Sequence, residues 1–457
     1  MANLSNWQQF GLKKNPYDTF PLVEGGDLPI EEAFVGREKE RAFIDNMLIS
    51  EDKICLAVCG DVGVGKTSLV NFQKFIWKYK KEKLLFSTRK EIEANPRLLD
   101  KQNFLIEIIG AVIQEIKLKD KNLLKQDLLK NLSRLVDISQ TLDLSLGANI
   151  LGYGGNISSG KNVVQPMQLS VTILEGYFQS LLKFITENEI GGYTYSGLVV
   201  HVNNFDVVMD TSESKQRVIK FFNEMRNFFQ TQKVYFVFLG PKNFYKDIIS
   251  TQKRIKSIFY QTPLQIKPLS KTEIVQAFDK RMALLKSDEV SGYTKPVDDG
   301  VIFQLYDLYD GDIRSVMGAV RDIIGQLDSS SRPLKAEEAM VVLGNLRWEE
   351  INNSLNLSDG QINVLKAIIE SKNYLSQKQI SSMLKINQSN MSGHYFKPLK
   401  NNDIIEEKEK KGKEIFFGLT PNYLPLKKFI ISQKKLREEA ANQEQMKIDL
   451  FKSMESN

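Results

Sequence analysis

Cysteine and histidine are nearly absent from this chain of 457 residues, with two of each: Cys55 and Cys59, His201 and His394. Both cysteines fall on one apolar run, Ile54-Cys-Leu-Ala-Val-Cys59. Four residues apart on a strand they share a face but lie well over ~10 Å apart, too far for a disulfide at about 5.5 Å between Cα atoms. Two cysteines without a nearby ligand partner make no zinc-type site. The scarcity of cysteine fits a reducing compartment. Long apolar runs are missing too: none approaches the roughly 18 residues of a membrane span. The opening Met1-Ala-Asn-Leu-Ser lacks the apolar core of a signal peptide. The expectation is a soluble cytoplasmic protein with no membrane partner. Charge of one sign is not in great excess either. A net charge of +6 and a pI near 8.9 permit nucleic-acid binding without demonstrating it.

What is present is more informative. After the run 54–59 comes Gly60-Asp-Val-Gly-Val-Gly65-Lys66-Thr67, then a helical pattern from Ser68 to about Lys81. This is G-x-x-x-x-G-K-[ST] between a buried strand and a helix start, the context the motif requires. Glycines let backbone N–H groups curl around a polyphosphate, and the helix N-terminus adds its positive end. Gly60, Asp61, Val62, Gly63, Val64, Gly65, Lys66, Thr67 and Ser68 are therefore the candidate nucleotide-binding residues. Lys66 would reach the β- and γ-phosphates, and the Thr67 hydroxyl would ligate Mg²⁺.

Around this motif, strands alternate with helices. Strands are expected at 84–88, 197–206 and 234–239, and helices at 103–119, 170–187 and 215–231, which indicates a mostly parallel α/β sheet. Residues 137–166 read as an insertion, first alternating apolar and polar residues, then rich in Gly and Ser. From 266 the pattern is helical to about 327, with Ser270 and Glu273 spaced as a capping box. Three short helices come next, 357–370, 376–384 and 388–400, then a two-stranded hairpin with Lys410-Lys-Gly-Lys413 at its turn. The tail after Phe429 is charged and helical.

Several segments together resemble an AAA+ ATPase of the Orc/Cdc-type initiator group, and also the signalling ATPases of the STAND class. Phe34-Val-Gly-Arg-Glu-Lys-Glu40 resembles the box that closes over adenine, which makes Val35 a candidate base contact. Arg254-Ile-Lys-Ser-Ile-Phe259, with Thr262–Leu269 after it, resembles the segment leading into the last core strand. Gly311-Asp-Ile-Arg314 resembles the sensor-2 motif of a helical lid. The resemblance implies that Arg314 reaches the γ-phosphate and that Arg254 serves as an arginine finger towards a neighbouring subunit. Guanidinium suits both roles because it is always charged and grips phosphate with two donors.

One departure from that pattern matters. An active AAA+ protein ends its second catalytic strand in Asp-Glu, whereas this chain has Asn203-Asn204. An amide cannot take a proton as a carboxylate does, so help from a general base is lost. Asp206, read as lying on the same strand face as Asn204, would substitute only if the loop bends back. Slow hydrolysis, or ATP used as a conformational ligand, is the expectation.

The carboxyl-terminal pattern matches a winged helix-turn-helix and resembles the MarR-like ones. Gln388, Ser389, Asn390, Ser392 and His394 would face DNA from the recognition helix, while Lys397, Lys400, Lys410, Lys411 and Lys413 would reach the backbone. Winged helices also bind proteins, and Glu406, Glu407, Glu409 and Glu414 dilute this one's positive field.

The resulting expectation is a P-loop NTPase sheet with a helical lid, followed by a mostly α winged helix-turn-helix. The segments are 1–50, 51–265 (with the insertion), 266–350, 351–428 and a tail 429–457. The expected partners are ATP with Mg²⁺, double-stranded DNA and further copies of the chain, in an initiator-like role. The alternative is a STAND-like regulatory or defence switch acting through an effector protein.

Overall fold

The computed structural model describes residues 6–137, 170–327, 332–435 and 437–439. From residue 138 onward, the insertion expected at 137–166 lies outside the described residues, as does most of the tail. The chain divides into two compact units, Phe20–Lys280 and Met1–Thr19 with Arg281–Asn457.

The first unit is an α/β domain. Its strands are β1 (Ile54–Gly60), β2 (Leu85–Ser87), β3 (Ile92–Glu93), β6 (Gly197–Asn203), β7 (Val234–Gly240) and β8 (Leu264–Ile266), with a separate small hairpin of β4 (Glu189–Ile190) and β5 (Tyr193–Thr194). The main sheet is wholly parallel in the order β2-β6-β7-β1-β8, and β3 extends the β2 edge on β6. Every residue of β1, β6 and β7 is buried, as parallel strands covered on both faces must be. Helices α1 (Ile30–Ala33), α2 (Glu38–Ser50) and α3 (Lys66–Tyr79) belong to one side of the domain, where Ile44, Leu48, Leu69, Val70 and Trp77 meet Leu56, Val58, Val199 and Val237. On the other face lie α4 (Lys101–Lys119) and the helices Val171–Glu187 and Ser212–Glu224. Phenylalanines fill that side edge to face; Phe222 and Phe238 have ring centroids 5.1 Å apart at 77°.

Two elements are shorter than their sequence patterns predict. The strand expected to run to 206 stops at Asn203, because Asn204 turns into the left-handed region at φ 65°. The helix expected at 215–231 starts earlier, at Ser212 behind a Thr211 cap, and ends at Glu224. A separate turn, Phe228–Gln230, then buries Phe228 and Phe229 against β7.

The second unit carries helices Asp299–Leu308, Ile313–Gly325 and Ala336–Asn353, then Asp359–Glu370 and Gln377–Leu384. The segment expected as one helix at 388–400 is three pieces: an α turn Gln388–Asn390, a wide π turn Met391–Phe396 and an α turn Lys397–Asn401. Strands β9 (Leu375–Ser376), β10 (Ile405–Lys411) and β11 (Glu414–Leu419) form an antiparallel sheet in the order β10-β11-β9. The hairpin is thus one part of a three-stranded sheet. A two-residue strand such as β9 shows no periodicity; it is held by pairing with Phe416–Phe417 and by Ser376 Oγ on Glu414 Oε1 at 2.6 Å. Val364, Ile368, Ile380, Met391, Phe396, Leu399 and Phe417 form the core of this region.

Among the described residues, no helix is long and apolar enough to cross a membrane. Both cysteines are buried free thiols, and no group of three or more potential metal-ligating side chains occurs among the described residues.

Candidate functional site

Gly60–Ser68 links the end of β1 to the first turn of α3. Gly60 has to be glycine, since a Cβ there would stand 2.7 Å from the Ile266 carbonyl on the neighbouring strand. Gly63 and Gly65 take φ of 75° and 89°, the left-handed turns that swing successive N–H groups to one side and build an anion cradle. Lys66 Nζ donates to the carbonyls of Gly60 at 2.9 Å and Asp61 at 2.8 Å, so its ammonium lies over the loop it would serve. Asp61 and Val62 are exposed and Val64 is buried. These residues fit a nucleoside triphosphate.

Strand order brings a second side chain to this loop. Val199, His201 and Asn203 alternate with Leu198, Val200 and Val202 along β6, and only the second set packs on the phenylalanine face. Asn203 therefore faces α3, and its Nδ2 donates to Thr67 Oγ1 at 3.0 Å. That is the hydroxyl expected to ligate Mg²⁺. Asn204 is half-buried, and Asp206 is exposed in the turn after it. Because the strand stops at Asn203, the shared strand face expected for Asn204 and Asp206 does not exist.

β7 lies between β1 and β6, so its carboxyl end emerges between the phosphate loop and Asn203. There Lys242 Nζ stands 3.8 Å from the Asp61 carboxylate. Asn243, on the loop that follows β7, is exposed.

The box around Val35 touches the loop through a neighbour. Arg37, itself left-handed at φ 68° and 7% exposed, donates from one guanidinium nitrogen to the Val64 carbonyl at 2.9 Å and from the other to Glu40 at 3.0 Å. Gly36 leaves room for Glu273, whose carboxylate would stand 2.6 Å from a Cβ. Glu273 also completes the expected capping box, accepting from Ser270 N at 2.7 Å and donating its own N–H to Ser270 Oγ at 3.2 Å. Val35 and Phe34 line a cavity of about 520 Å³ in which Phe34 stacks on Phe72 at 4.3 Å and Arg41 lies 4.4 Å over the same ring. None of Gly60–Ser68 lines it.

Below the loop, beside the apolar contacts of Leu69, Val70 and Trp77, α3 carries a polar stripe. Asn71, Lys74 and Lys78 follow Thr67 at steps of four, three and four, so all four residues share one stripe. Asn71 Nδ2 donates to the Leu22 carbonyl at 3.1 Å, and Leu22 N donates to Ser68 Oγ at 3.2 Å, tying the segment before the box to the loop. Lys74, 3% exposed, donates to the Arg89 carbonyl at 3.2 Å. Burial, partly offset by Glu91 and reinforced by Lys78, holds its ammonium down to about 8. Lys78 is fully buried between Glu24 at 2.7 Å and Glu115 at 3.0 Å. Burial works against the Glu24 carboxylate, but Lys78, Tyr79 and Arg89 outweigh it and keep it below the ordinary range. His201 is 1% exposed with neither ring nitrogen hydrogen-bonded among the described residues, and burial, then repulsion from Lys74, drives it well below its usual pKa. Sequence reading missed this stripe, though its helical spacing and the lone histidine in an apolar strand were both visible.

Arg254 is exposed on a short helix, Lys253–Lys256, and its carbonyl accepts from Arg226 and Ser257. Arg314 is exposed in the first turn of Ile313–Gly325, where Asp312 caps the helix by accepting from the N–H groups of Arg314 at 2.9 Å and Ser315 at 3.3 Å. Gln388, Ser389, Asn390, Ser392 and His394 are exposed, as are Lys397, Lys400, Lys410, Lys411 and Lys413. Two of these lysines are paired with acids: Lys400 with Glu407 at 2.7 Å and Lys411 with Glu409 at 3.0 Å.

No protein-family model matches the chain, and no curated protein matches it in sequence. Solved structures do show similarity in fold. Aeropyrum pernix ORC1, in complex with DNA, is 12% identical and aligns over 90% of this chain and 95% of that one, with a TM-score of 0.43. Aeropyrum pernix ORC2, in ADPNP and ADP complexes, is 13% identical over 94% of this chain and 100% of its own, with a TM-score of 0.44. Pyrobaculum aerophilum CDC6P is 12% identical over 89% and 99%, with a TM-score of 0.37.

Proposed function

We propose that this chain is an ATP-binding switch protein that holds double-stranded DNA through its carboxyl-terminal module and turns ATP over slowly or not at all. The observation that carries the nucleotide part is the contact between Thr67 Oγ1 and Asn203 at 3.0 Å. It joins the phosphate loop to a strand end that has the position of a catalytic carboxylate and the chemistry of an amide. Backbone N–H groups of the loop, Lys66 and the α3 N-terminus would bind the phosphates, and Thr67 would hold Mg²⁺. Mg²⁺ held there would supply charge neutralisation to the phosphates. Asn203 can orient the Thr67 hydroxyl but cannot accept a proton from water, and neither can Asn204. Binding energy is then available to close the lid or to join subunits, with Arg314 and Arg254 as the proposed phosphate contacts from lid and neighbour.

In the same proposal, residues 51–265 are the nucleotide core, 266–350 the lid and 351–428 a winged helix-turn-helix, with a charged tail from 429. Support for DNA contact comes from the row of short polar side chains Gln388–Ser392 with His394, and from Lys397, Lys410 and Lys413, which form no ion pair among the described residues. The paired lysines, Lys400 and Lys411, favour a second reading in which the module binds a protein and the chain acts as a STAND-like switch.

Duplex binding and assembly state, measured with ATP, ADP and no nucleotide, separate the two. ATP-dependent duplex binding that falls steeply with salt and is lost in Lys66→Ala supports the first reading. Assembly that responds to ATP while duplex binding stays absent or flat with salt supports the second.

A further inference from the structure

The segment Gln388–Asn401 contains a break that its sequence explains in part. Pro398 has no N–H, so it cannot donate to the carbonyl four residues earlier, at His394. The chain responds with the wide turn Met391–Phe396, in which Lys397 N donates five residues back to Ser392 instead of four. A helix interior normally cannot leave such a carbonyl unpaired beside a packed core. Here a side chain from another helix takes it. Gln361 Nε2 donates to the His394 carbonyl at 2.8 Å, while Gln361 Oε1 accepts from Ser358 N at 3.0 Å. Gln361 is 8% exposed. Only an amide meets both demands, because one end must donate and the other accept. The neighbouring backbone is seated closely as well, since a Cβ on Gly360 would come within 2.9 Å of the Tyr395 ring.

The wide turn has a geometric consequence. Each residue of an α-helix advances about 100° around the axis, so one extra residue in a turn rotates the residues after it by about that amount. The angle between the polar group Gln388–Ser392 and the lysines Lys397 and Lys400 is therefore set by the turn and not by helical spacing.

We propose that Gln361 is a positioning residue for duplex binding: by holding the His394 carbonyl that Pro398 leaves without a donor, it fixes the rotation between the base-facing residues and the phosphate-facing lysines. The proposal rests on the DNA-binding reading of this module. It also gives the capping box at Ser358 a second purpose, since the side chain that caps one helix registers the other.

The test uses the full chain and a mixed-sequence duplex, with thermal unfolding measured alongside binding. Gln361→Met removes donor and acceptor without adding charge. It is expected to weaken duplex binding about fivefold to tenfold, with the salt dependence of the wild type retained. Gln361→Glu keeps the acceptor for Ser358 N but sets a carboxylate against the His394 carbonyl, and is expected to weaken binding at least as much. Adding Pro398→Ala to Gln361→Met returns an N–H to the His394 carbonyl. This double variant should recover the unfolding temperature but not the affinity, because the turn is then free to become a regular helix. Wild-type affinity in Gln361→Met overturns the proposal. So does a loss of affinity that Pro398→Ala restores together with stability, since that would mark a purely structural role. A wild-type chain that binds no duplex overturns the DNA reading itself, and the positioning role with it.

Discussion

Two regions of the α/β domain, one on each side of the parallel sheet, are matched by different rules. Behind the strands the interior is aromatic: Phe104, Phe221, Phe222, Phe229, Phe236 and Phe238 pack mostly edge to face among Leu and Ile from α4 and its neighbours. In front, beside the apolar cluster of Leu69, Val70 and Trp77 on Leu56, Val58 and Val237, a polar stripe runs from the half-buried Thr67 through the buried Asn203, His201 and Lys74 to Lys78 with its two carboxylates. Apolar burial stabilises by area and needs no matching partner, whereas every buried ion or amide must be met. The difference teaches where the domain can respond: the aromatic cluster is held by buried area alone, and the polar stripe is sensitive to charge, pH and ligand.

The aromatic face should yield the largest loss. Phe222→Ala removes a ring that packs on Phe205, Phe221, Phe229, Phe238, Phe244 and Phe259. Denaturant unfolding should show a loss of about 3–5 kcal/mol, while the folded fraction keeps wild-type affinity for an ATP analogue. An unchanged midpoint would mean that this face relaxes around the cavity.

Next comes the polar face. Lys78→Met leaves Glu115, which is 2% exposed, with Arg89 alone at 3.5 Å and should cost about 2–3 kcal/mol. Adding Glu115→Leu should recover a large part of that cost, because a buried pair replaced on both sides loses its desolvation penalty along with its attraction. Strict additivity of the two single changes would show that Lys78 and Glu115 are not coupled.

Lys74 gives the comparison a sign. Its ammonium is held at about 8, below the ordinary lysine range, so near neutral pH the folded state carries a charge that it disfavours. That penalty is fully present below about 8 and is relieved as pH rises from there towards the unfolded-state value near 10.5. Lys74→Met should therefore stabilise the protein at pH 7, by about 1–3 kcal/mol less the lost bond to the Arg89 carbonyl, and the advantage should shrink by pH 10. Unfolding midpoints of both proteins across pH 6.5 to 10 check the slope. A mutant advantage that grows with pH would refute the assignment.

How far the sequence foretold this differs between the two faces. The phosphate loop, the parallel sheet and the Ser270–Glu273 capping box were legible because each rests on local spacing: a motif, alternation, a cap three residues from its partner. The short strand β9 was not, since two residues carry no period and their pairing partner is some 40 residues away. The stripe on α3 was not legible for a different reason. Lysines at helical spacing normally mark a solvated face, and only the distant Glu24 and Glu115 make burial affordable here. The break at 391–396 was hinted at by Pro398, but its stabiliser, Gln361, lies more than 30 residues earlier. The end of β6 was lost through Asn204, whose left-handed φ no periodicity predicts.

The smallest effect on stability is the most informative about the site. Asn203→Asp puts a carboxylate, 7% exposed in the wild-type position, against the Thr67 hydroxyl. Without nucleotide it should cost about 1 kcal/mol or less, because one hydrogen bond to Thr67 persists while a charge is partly desolvated. Adding ATP with Mg²⁺ should more than recover this, since a dication beside Thr67 pairs with the new carboxylate and binding to the folded state alone raises its stability. The thermal shift on adding Mg-ATP should thus be larger for Asn203→Asp than for wild type, and ATP turnover should stay low because Asn204 still cannot act as a base. Equal shifts would mean that Thr67 does not hold the metal, and that the Asn203 contact is packing beneath a phosphate loop whose cation is held elsewhere.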